Sequence, residues 1–537
     1  MPNWPSKCLA TLSLLAICGA AYAGKPDMIA QNFKSPPDTA RPWVYWYFMD
    51  GNQTEAGMKA DLEAMKAAGI GGAIMLDVNI GIQKGPVEFM SDRWQQDFVF
   101  AVTEAKSLGL QIAMPAGPGW CGAGGPWITP DKSMQDLVAS ETSAEGPSHF
   151  DTVLPKPQPR TPFFGMGTFT PTLEQQWANF YSDQYVIAFP TPDGSAKIDN
   201  SDYKALYYRS SVSSMGAPPR IPSPVNGITI PENQCISADK IIDLTGKLGP
   251  DGHLNWNVPA GRWTIMRFGR TITGQTTRPA PDAGLGFETD KFSKEALDLQ
   301  FKNFEDVLLQ KLGPDYRSGD SGLTTFHFDS WEMASQNWSE KFRQEFTAAN
   351  GYDPLPYLPA LTGRVVGSEE QSERFLWDLR HTASDLLVEN QGQYLADYAH
   401  KHNLQFSEEP YDLNPSADLD LGSVADIPMC EFWSRSWSLP SEYSCFEATS
   451  IGHTNGKKVI GAESFTGAPG EDWHQYPGSM KEQLDWALAD GINKYVIHRY
   501  QHQPYLDRFP GMTMGPYGVH WDRTETWWSM FQRFIST

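Results

Sequence analysis

The chain has 537 residues, of which 40% are hydrophobic and 12% aromatic, so it can bury a large core and is expected to form one big domain with an insertion or a second domain. Its formal net charge of −22 argues against nucleic acid or anionic lipid as a partner, because proteins that neutralise phosphates need basic patches. Neutral sugars remain compatible with this charge.

Residues 1–23 have the pattern of a cleavable signal peptide. Lys7 precedes an apolar stretch that leads to the small residues of Ala21-Tyr22-Ala23, where cleavage is expected. The apolar stretch is shorter than the roughly 20 residues that a membrane span needs, and no later segment resembles one. The sequence therefore predicts export to the periplasm or the medium, with no membrane span in the mature chain.

Three steps from strand to helix open the mature chain. Apolar runs predict strands at 43–49, 71–78 and 111–118, and apolar residues at helical spacing follow the Thr54 cap and recur over 92–110. Consecutive units of this kind imply parallel strands joined by crossover helices. Residues 24–139 are therefore expected to form the first part of a barrel.

The pattern changes between residues 140 and 290. This region is rich in Pro, Gly, Thr and Ser, has short apolar runs and shows little helical period, so it predicts an inserted β-rich subdomain. Helical period returns at 293–313 and 373–402. Further strands are predicted at 324–332, 404–411, 424–433, 457–465 and 493–500.

Eight predicted strands, mostly separated by helical stretches, favour a (β/α)8 TIM-like barrel that is interrupted after its third strand and completed by residues 291–537. A doubly wound open sheet is the alternative. The sequence contains no GxGxxG or Walker motif that would support nucleotide binding in such a sheet.

Polar residues at predicted strand ends are mostly acidic. In a barrel of this class the active site lies where the strands end, and glycoside hydrolysis needs one carboxylic acid and one carboxylate on opposite sides of the bond. Each acid taken alone could instead cap a helix or face solvent. The strand-end acids are Asp50, Asp77, Glu332, Glu408, Glu409, Glu431 and Glu463, and His498 and His502 follow the eighth strand.

Two glutamates are the main catalytic candidates. Glu463 shares one side of its strand with Val459 and Gly461, and the glycine leaves room inside a crowded barrel. Asp329 is the alternative catalytic candidate on the strand that leads to Glu332. The two residues are three positions apart, so a regular strand would direct them to opposite faces, and Glu332 can point into the barrel only if the chain turns after Ser330.

Other residues near strand ends are candidates for sugar binding. Trp120 and Trp331 could form a platform for a sugar ring, although core packing is an equal alternative. His498 and His502 could bind sugar hydroxyls or a metal, or be structural. The predicted substrate-binding set is Asp77, Trp120, Asp329, Trp331, Glu409, His498 and His502.

Several segments together resemble the α-L-rhamnosidases of glycoside hydrolase family 106. They are RPWVYWYFMDGN, GIGGAIMLDV, PGWCGAGGPWI, FDSWE, CEFW, GAESFT and HRYQHQP followed by PGMTMGPYGVHWDR, and they occur in the matching order. The resemblance implies an interrupted (β/α)8 barrel, an inverting mechanism on rhamnosides or rhamnose-containing polysaccharides, and an active-site calcium ion.

The resemblance also implies roles for three glutamates. Glu332 in FDSWE matches the general acid and Glu463 in GAESFT the general base. Glu431 in CEFW matches a third essential glutamate, assigned to calcium or sugar binding, and could exchange roles with Glu463. An inverting pair of carboxyl groups is expected roughly 6.5 to 9.5 Å apart.

Two alternative functions remain open on the sequence: a different glycosidase on the same barrel, and a carbohydrate-binding protein with incomplete catalysis. Family members usually continue into β-rich domains, whereas this sequence stops at FQRFIST. The chain is therefore expected to be a fragment with its last helix partly exposed.

Overall fold

The computed structural model describes residues 28–535 with gaps at 195, 210–229, 412–416, 435–441, 468–472 and 515–520. The predicted signal peptide lies outside the described residues, so export stays a prediction. None of the described helices is both long and apolar enough to cross a membrane.

Eight parallel strands form a closed barrel. Each pairs with its neighbour in the chain, β8 pairs with β1, and β3 pairs with β4 across the long intervening segment. This closure confirms the predicted (β/α)8 barrel and excludes the open sheet. The strands are β1 (Trp43–Met49), β2 (Gly72–Val78), β3 (Gln111–Pro115), β4 (Ser321–Phe328), β5 (Gln405–Glu408), β6 (Ile427–Trp433), β7 (Gly461–Thr466) and β8 (Lys494–Gln501).

Helices follow every barrel strand except β3, after which the chain first enters the β-rich segment. The helix after β1 begins at the predicted cap, where the Thr54 hydroxyl accepts a hydrogen bond from the Gly57 amide at 3.0 Å. Glu55–Ala68 follows β1, Asp92–Leu108 follows β2, and Lys294–Asn303 and Glu305–Leu312 precede β4. Phe342–Asn350, Glu369–Leu387 and Tyr394–Lys401 follow β4, and Asp418–Ser423 follows β5. Glu442–Asn455 follows β6, Pro477–Asp490 follows β7 and Phe531–Ile535 follows β8.

Strand β1 shows how the barrel divides its core into two layers. Tyr45 and Tyr47 belong to an apolar cluster inside the barrel, while Trp46 and Phe48, which alternate with them, pack in the larger cluster between strands and helices. Because side chains on a strand alternate between its faces, an almost continuously apolar strand serves both layers.

Between β3 and β4 the chain forms a four-stranded antiparallel sheet. Its strands are Gln135–Val153, Ser182–Pro190, Ile242–Asp243 and His253–Ile272, and the short helices Pro171–Asn179 and Ser201–Lys204 lie in the same segment. Trp256 and Trp263 belong to a separate apolar cluster in this sheet. The first strand starts at 135, five residues before the predicted boundary at 140. Whether this segment is a separate subdomain stays a prediction.

Candidate active site

Five carboxyl groups gather at the carboxyl ends of the barrel strands; we call Asp329, Glu332, Glu409, Glu431 and Glu463 the carboxylate cluster. Glu431 and Glu463 are directly paired across β6 and β7. Four of the five are nearly inaccessible to solvent, and only Glu332 keeps 28% of its side chain exposed. The barrel thus presents several acids to one enclosed space.

Asp329 and Glu409 form the most deeply buried pair of this cluster. Burial raises the pKa of Asp329 to about 7. Burial and the Asp329 charge raise the pKa of Glu409 well above its usual range. The hydroxyls of Tyr45 and Tyr411, each at 2.8 Å, and of Ser330, at 3.1 Å, donate to Glu409.

Glu431 is linked to this pair through a tyrosine. The Tyr411 hydroxyl lies 2.8 Å from Glu409 and 3.2 Å from Glu431. Burial and the nearby charges of Glu463 and Glu409 raise the pKa of Glu431 well above its usual range. The Tyr411 hydroxyl therefore bridges Glu431 to the Asp329–Glu409 pair.

Glu463 lies on the other side of the cluster, next to the eighth strand. Its carboxylate accepts a hydrogen bond from the Thr466 hydroxyl, and His498 Nε2 lies 3.9 Å from its Oε1. Burial, followed by the charges of Glu409 and Asp329, raises the pKa of Glu463. Burial and Arg499 lower the pKa of His498, so its imidazole is neutral and adds no compensating charge.

Glu332 is held at the open edge of the site. The chain turns after Ser330, as its inward direction requires, with the Glu332 amide bonded to the Ser330 carbonyl at 3.0 Å. Arg278 Nη2 donates to Glu332 Oε2 at 2.7 Å, and the Trp120 indole donates to the same oxygen at 3.2 Å. Two loops that are far apart in sequence therefore meet on this carboxyl group.

A group of possible metal ligands lies at the buried pair. Ligand atoms of His327, Asp329 and Glu409 all lie within 4.8 Å of one another. Among the described residues, His327 Nε2 and Asp329 Oδ2 are buried without a hydrogen-bond partner. Glu431, the predicted metal ligand, is not in this group; the Tyr411 hydroxyl connects it to Glu409.

Three predicted sugar-binding residues lie away from the cluster. Asp77 points to the helical layer, where the Trp94 indole donates to it at 2.7 Å; burial raises the pKa of Asp77 to about 7. Trp331 is fully buried in the outer core. His502 stacks on Phe48 outside the barrel interior and bonds to the carboxylate of Asp61 at 2.7 Å. Trp120, Asp329, Glu409 and His498 are brought to the cluster.

Sequence reasoning missed four residues of the site. Tyr45 could have been found, since it lies two residues before Tyr47 on the same inner face of β1. Tyr411 and Arg278 had no local signal. Arg499 follows His498 and is completely buried, with no hydrogen-bond partner for its guanidinium among the described residues. It lies 6.0 Å from the Tyr47 ring and interacts electrostatically with Glu463.

We compared the chain with protein families, solved structures and curated proteins. The model of the glycoside hydrolase family 106 α-L-rhamnosidases matches residues 34–537. The solved structure of a rhamnosidase from Novosphingobium sp. PP1Y is 28% identical and superposes with a TM-score of 0.79, covering 95% of this chain and 60% of that one. A curated relative in Formosa agariphila, named a putative beta-glucuronidase, is 38% identical over 510 residues.

That match covers 94% of this chain but only 41% of the length of the Formosa agariphila relative. The curated relative and the solved rhamnosidase are therefore both considerably longer than the matched region. With a family model that covers nearly all of its residues, the chain belongs to glycoside hydrolase family 106, the α-L-rhamnosidases.

Proposed function

We propose that this protein is exported and removes α-L-rhamnose from rhamnosides or rhamnose-containing polysaccharides, with Glu332 as general acid and Glu463 as general base. The observation that carries the proposal is the meeting of these two carboxyl groups in one cluster at the strand ends. Hydrolysis of a glycosidic bond needs such a pair.

Glu332 suits the acid because it is the accessible member of the cluster, with 28% of its side chain exposed. The leaving group has to exit towards solvent, so the group that protonates the glycosidic oxygen belongs at the open edge. As the bond between the anomeric carbon and this oxygen breaks, the Glu332 proton passes to the leaving group, which departs as an alcohol.

Glu463 suits the base because it lies deeper and its carboxylate is held by the Thr466 hydroxyl. Burial and neighbouring charges raise its pKa, which makes its carboxylate a stronger proton acceptor than an exposed glutamate. It takes one proton from a water molecule whose oxygen attacks the anomeric carbon, and the configuration inverts. Glu431, its partner across β6 and β7, is the alternative base.

A divalent cation fits the Asp329–Glu409 pair. Two carboxyl groups are buried together, and Asp329 Oδ2 and His327 Nε2 have no hydrogen-bond partner among the described residues. Calcium prefers oxygen ligands, so Asp329 and Glu409 are the residues that would hold it, and the imidazole is the less suitable donor. A bound cation would orient sugar hydroxyls and reduce the repulsion between these carboxylates.

The first experiment measures release of p-nitrophenol from its α-L-rhamnoside by the purified protein, with calcium and after treatment with EDTA. Turnover that falls in EDTA and returns with calcium is expected. The β-D-glucuronide serves as the comparison substrate, because the Formosa agariphila relative is named for that activity. Cleavage of the glucuronide alone would overturn the proposed substrate, and rates unaffected by EDTA would remove the cation.

Stereochemistry is read separately, by proton NMR of the first sugar released. Rhamnose of the β configuration is expected from an α-rhamnoside if Glu463 activates water directly. Initial release of the α anomer would show a covalent intermediate and would refute the inverting mechanism. Sugar binding without turnover would instead support the carbohydrate-binding alternative.

A further inference from the structure

The mouth of the barrel has two chemically different sides. The carboxylate cluster lies at the ends of β4 to β7, whereas β1 and β2 end in the completely buried apolar residues Met49 and Val78. In a closed barrel of eight strands, β1 lies across from β5 and β2 lies across from β6. Met49 and Val78 are therefore on the side opposite Glu409 and Glu431.

Loop residues extend this apolar side. Met514, in the loop after β8, is buried in the same interior cluster as Met49 and Val78, and partly buried residues from the loops after β2, β3 and β8 pack against that cluster. We call six of these residues the apolar wall. They are Met49, Val78, Ile80, Trp120, Met512 and Met514.

The side chains of the apolar wall have little capacity for hydrogen bonding. The Trp120 indole is their one donor, and it is already directed to Glu332 Oε2 at 3.2 Å. The sulfur atoms of the methionines are only weak acceptors. A hydroxyl group that faces the wall therefore finds no strong partner among these side chains.

Met512 is held in the wall by its backbone. The side-chain amide of the buried Gln503 accepts a hydrogen bond from the Met512 amide at 2.7 Å and donates one to the Met512 carbonyl at 3.0 Å. Gly511 has a φ of 95°, and a Cβ atom there would lie 2.1 Å from Gln503 Oε1. A glutamine and a glycine thus fix the position of a methionine that stays partly accessible.

A pyranose bound in this mouth would turn different edges to the two sides. Carboxylates accept hydrogen bonds from hydroxyl groups, so the hydroxyls on C2 and C3 belong on the side of Asp329, Glu409 and Glu431. C5 lies across the sugar ring from C2, so its substituent points to the opposite side. In rhamnose this substituent is a methyl group, whereas in mannose of the same L configuration it is a hydroxymethyl group.

We infer that the apolar wall binds the C6 methyl group of the sugar and so selects 6-deoxy sugars over hexoses that carry a C6 hydroxyl. The inference rests on the proposed rhamnosidase function and assigns its sugar specificity to this side of the mouth. A methyl group gains free energy when it is buried against the wall, while a hydroxyl would lose water without a replacing hydrogen bond. Met512 suits the contact, because its flexible side chain adapts to a small apolar group.

The test compares kcat/KM for the p-nitrophenyl glycosides of α-L-rhamnose, α-L-mannose and α-L-lyxose, whose C5 atoms carry a methyl group, a hydroxymethyl group and hydrogen. The leaving group is the same in all three. The wild type is expected to prefer the rhamnoside over the mannoside roughly 10- to 100-fold, and over the lyxoside roughly 10-fold.

Three variants assign the preference to the wall. Met512→Gln keeps the length of the side chain but adds hydrogen-bonding groups, so the ratio of rhamnoside to mannoside should fall roughly 10-fold. Met512→Leu keeps the surface apolar and should keep the ratio. Met90→Gln is the matched control, because Met90 is also partly buried but packs against the outer core, and the ratio should not change.

A wild type that cleaves the mannoside as well as the rhamnoside would overturn the inference without any variant. A preference for the rhamnoside that survives in Met512→Gln would show that the wall does not set it. If the wild type cleaves no rhamnoside, the proposed function fails by itself. Calorimetric affinities for free L-rhamnose, L-mannose and L-lyxose then decide the inference, which equal affinities or no binding would overturn.

Discussion

Replacing one charge of the buried Asp329–Glu409 pair tests the electrostatics of the site directly. Burial raises the pKa of Asp329 from its usual 3.8 to about 7 on folding. A difference of about three pH units corresponds to about 4 kcal/mol, because each unit is worth about 1.4 kcal/mol. The wild-type protein should therefore lose about this much stability when it must ionise Asp329 in the folded state.

The sign follows from linkage. A carboxyl group whose pKa is raised on folding contributes stability that is fully present below its pKa in the unfolded chain and is lost as pH rises through about 7. Asp329→Asn removes this dependence while preserving shape. Without divalent cations, the variant should have a free energy of unfolding about 4 kcal/mol above that of the wild type at pH 8, and nearly the same value at pH 3.5.

Urea denaturation in EDTA at the two pH values measures this difference, and repeating it in calcium separates charge from metal binding. Calcium should stabilise the wild type by about 2.7 kcal/mol at a hundred times its dissociation constant and leave Asp329→Asn nearly unchanged. Glu408→Gln is the control: burial raises the pKa of Glu408 to about 8, but its side chain contacts Trp331 in the outer core. Its stabilisation at pH 8 should not depend on calcium.

If Asp329→Asn were no more stable than the wild type at pH 8 in EDTA, burial of Asp329 would not carry this electrostatic cost. Equal stabilisation of both proteins by calcium would refute the proposed cation site but leave the charge argument intact.

Glu332→Gln and Glu463→Gln should each lower kcat by at least roughly 100-fold with an unchanged circular dichroism spectrum, whereas near-normal turnover would contradict the assigned roles. Arg499→Met should raise the pKa of Glu463, because the two charges attract, and so move the acid limb of the kcat/KM profile to higher pH; an unmoved limb would disprove this coupling. The thiols of Cys430 and Cys445 lie 3.2 Å apart, so export should yield a disulfide and two fewer reactive thiols under denaturing conditions; an undiminished count would exclude it.

Most of the eight barrel strands were predictable because they are short apolar runs of buried residues, as in β1 and β2. The prediction at 493–500 differs by one residue from the observed Lys494–Gln501. At β7 the predicted start at 457 was too early, since the strand begins at Gly461. The helix Glu442–Asn455 was missed because its Ser and Thr residues interrupt the apolar period.

Strand-end position alone did not give the direction of a side chain. Leu76 and Val78 fill the barrel interior, so Asp77 between them must face the helices, although it ends its strand like the true members of the cluster. His502 lies beyond the last residue of β8, where the chain has already turned to the outer layer. Knowledge of which face of each strand is inside would have placed both side chains outside the barrel interior.

The contact between Arg278 and Glu332 was beyond the reach of sequence patterns. The two residues are 54 positions apart, on either side of two helices and strand β4. Only the closed barrel brings the end of the β-rich segment back to the loop after β3, where the carbonyl of Arg278 accepts hydrogen bonds from the amides of Trp120 and Cys121. Such a junction depends on tertiary packing and leaves no local periodicity.

The charge balance of the site explains why its parts depend on one another. Five carboxyl groups converge, while among the described residues His327 and His498 are kept neutral by the lowering of their pKa values on burial. Arg278 is already paired with Glu332, and the buried Arg499 compensates one further charge at most. The cluster therefore retains protons at neutral pH unless a cation enters. Because ligands must lose their protons to bind a metal, cation binding, proton content and the ionisation of Glu463 form one coupled equilibrium.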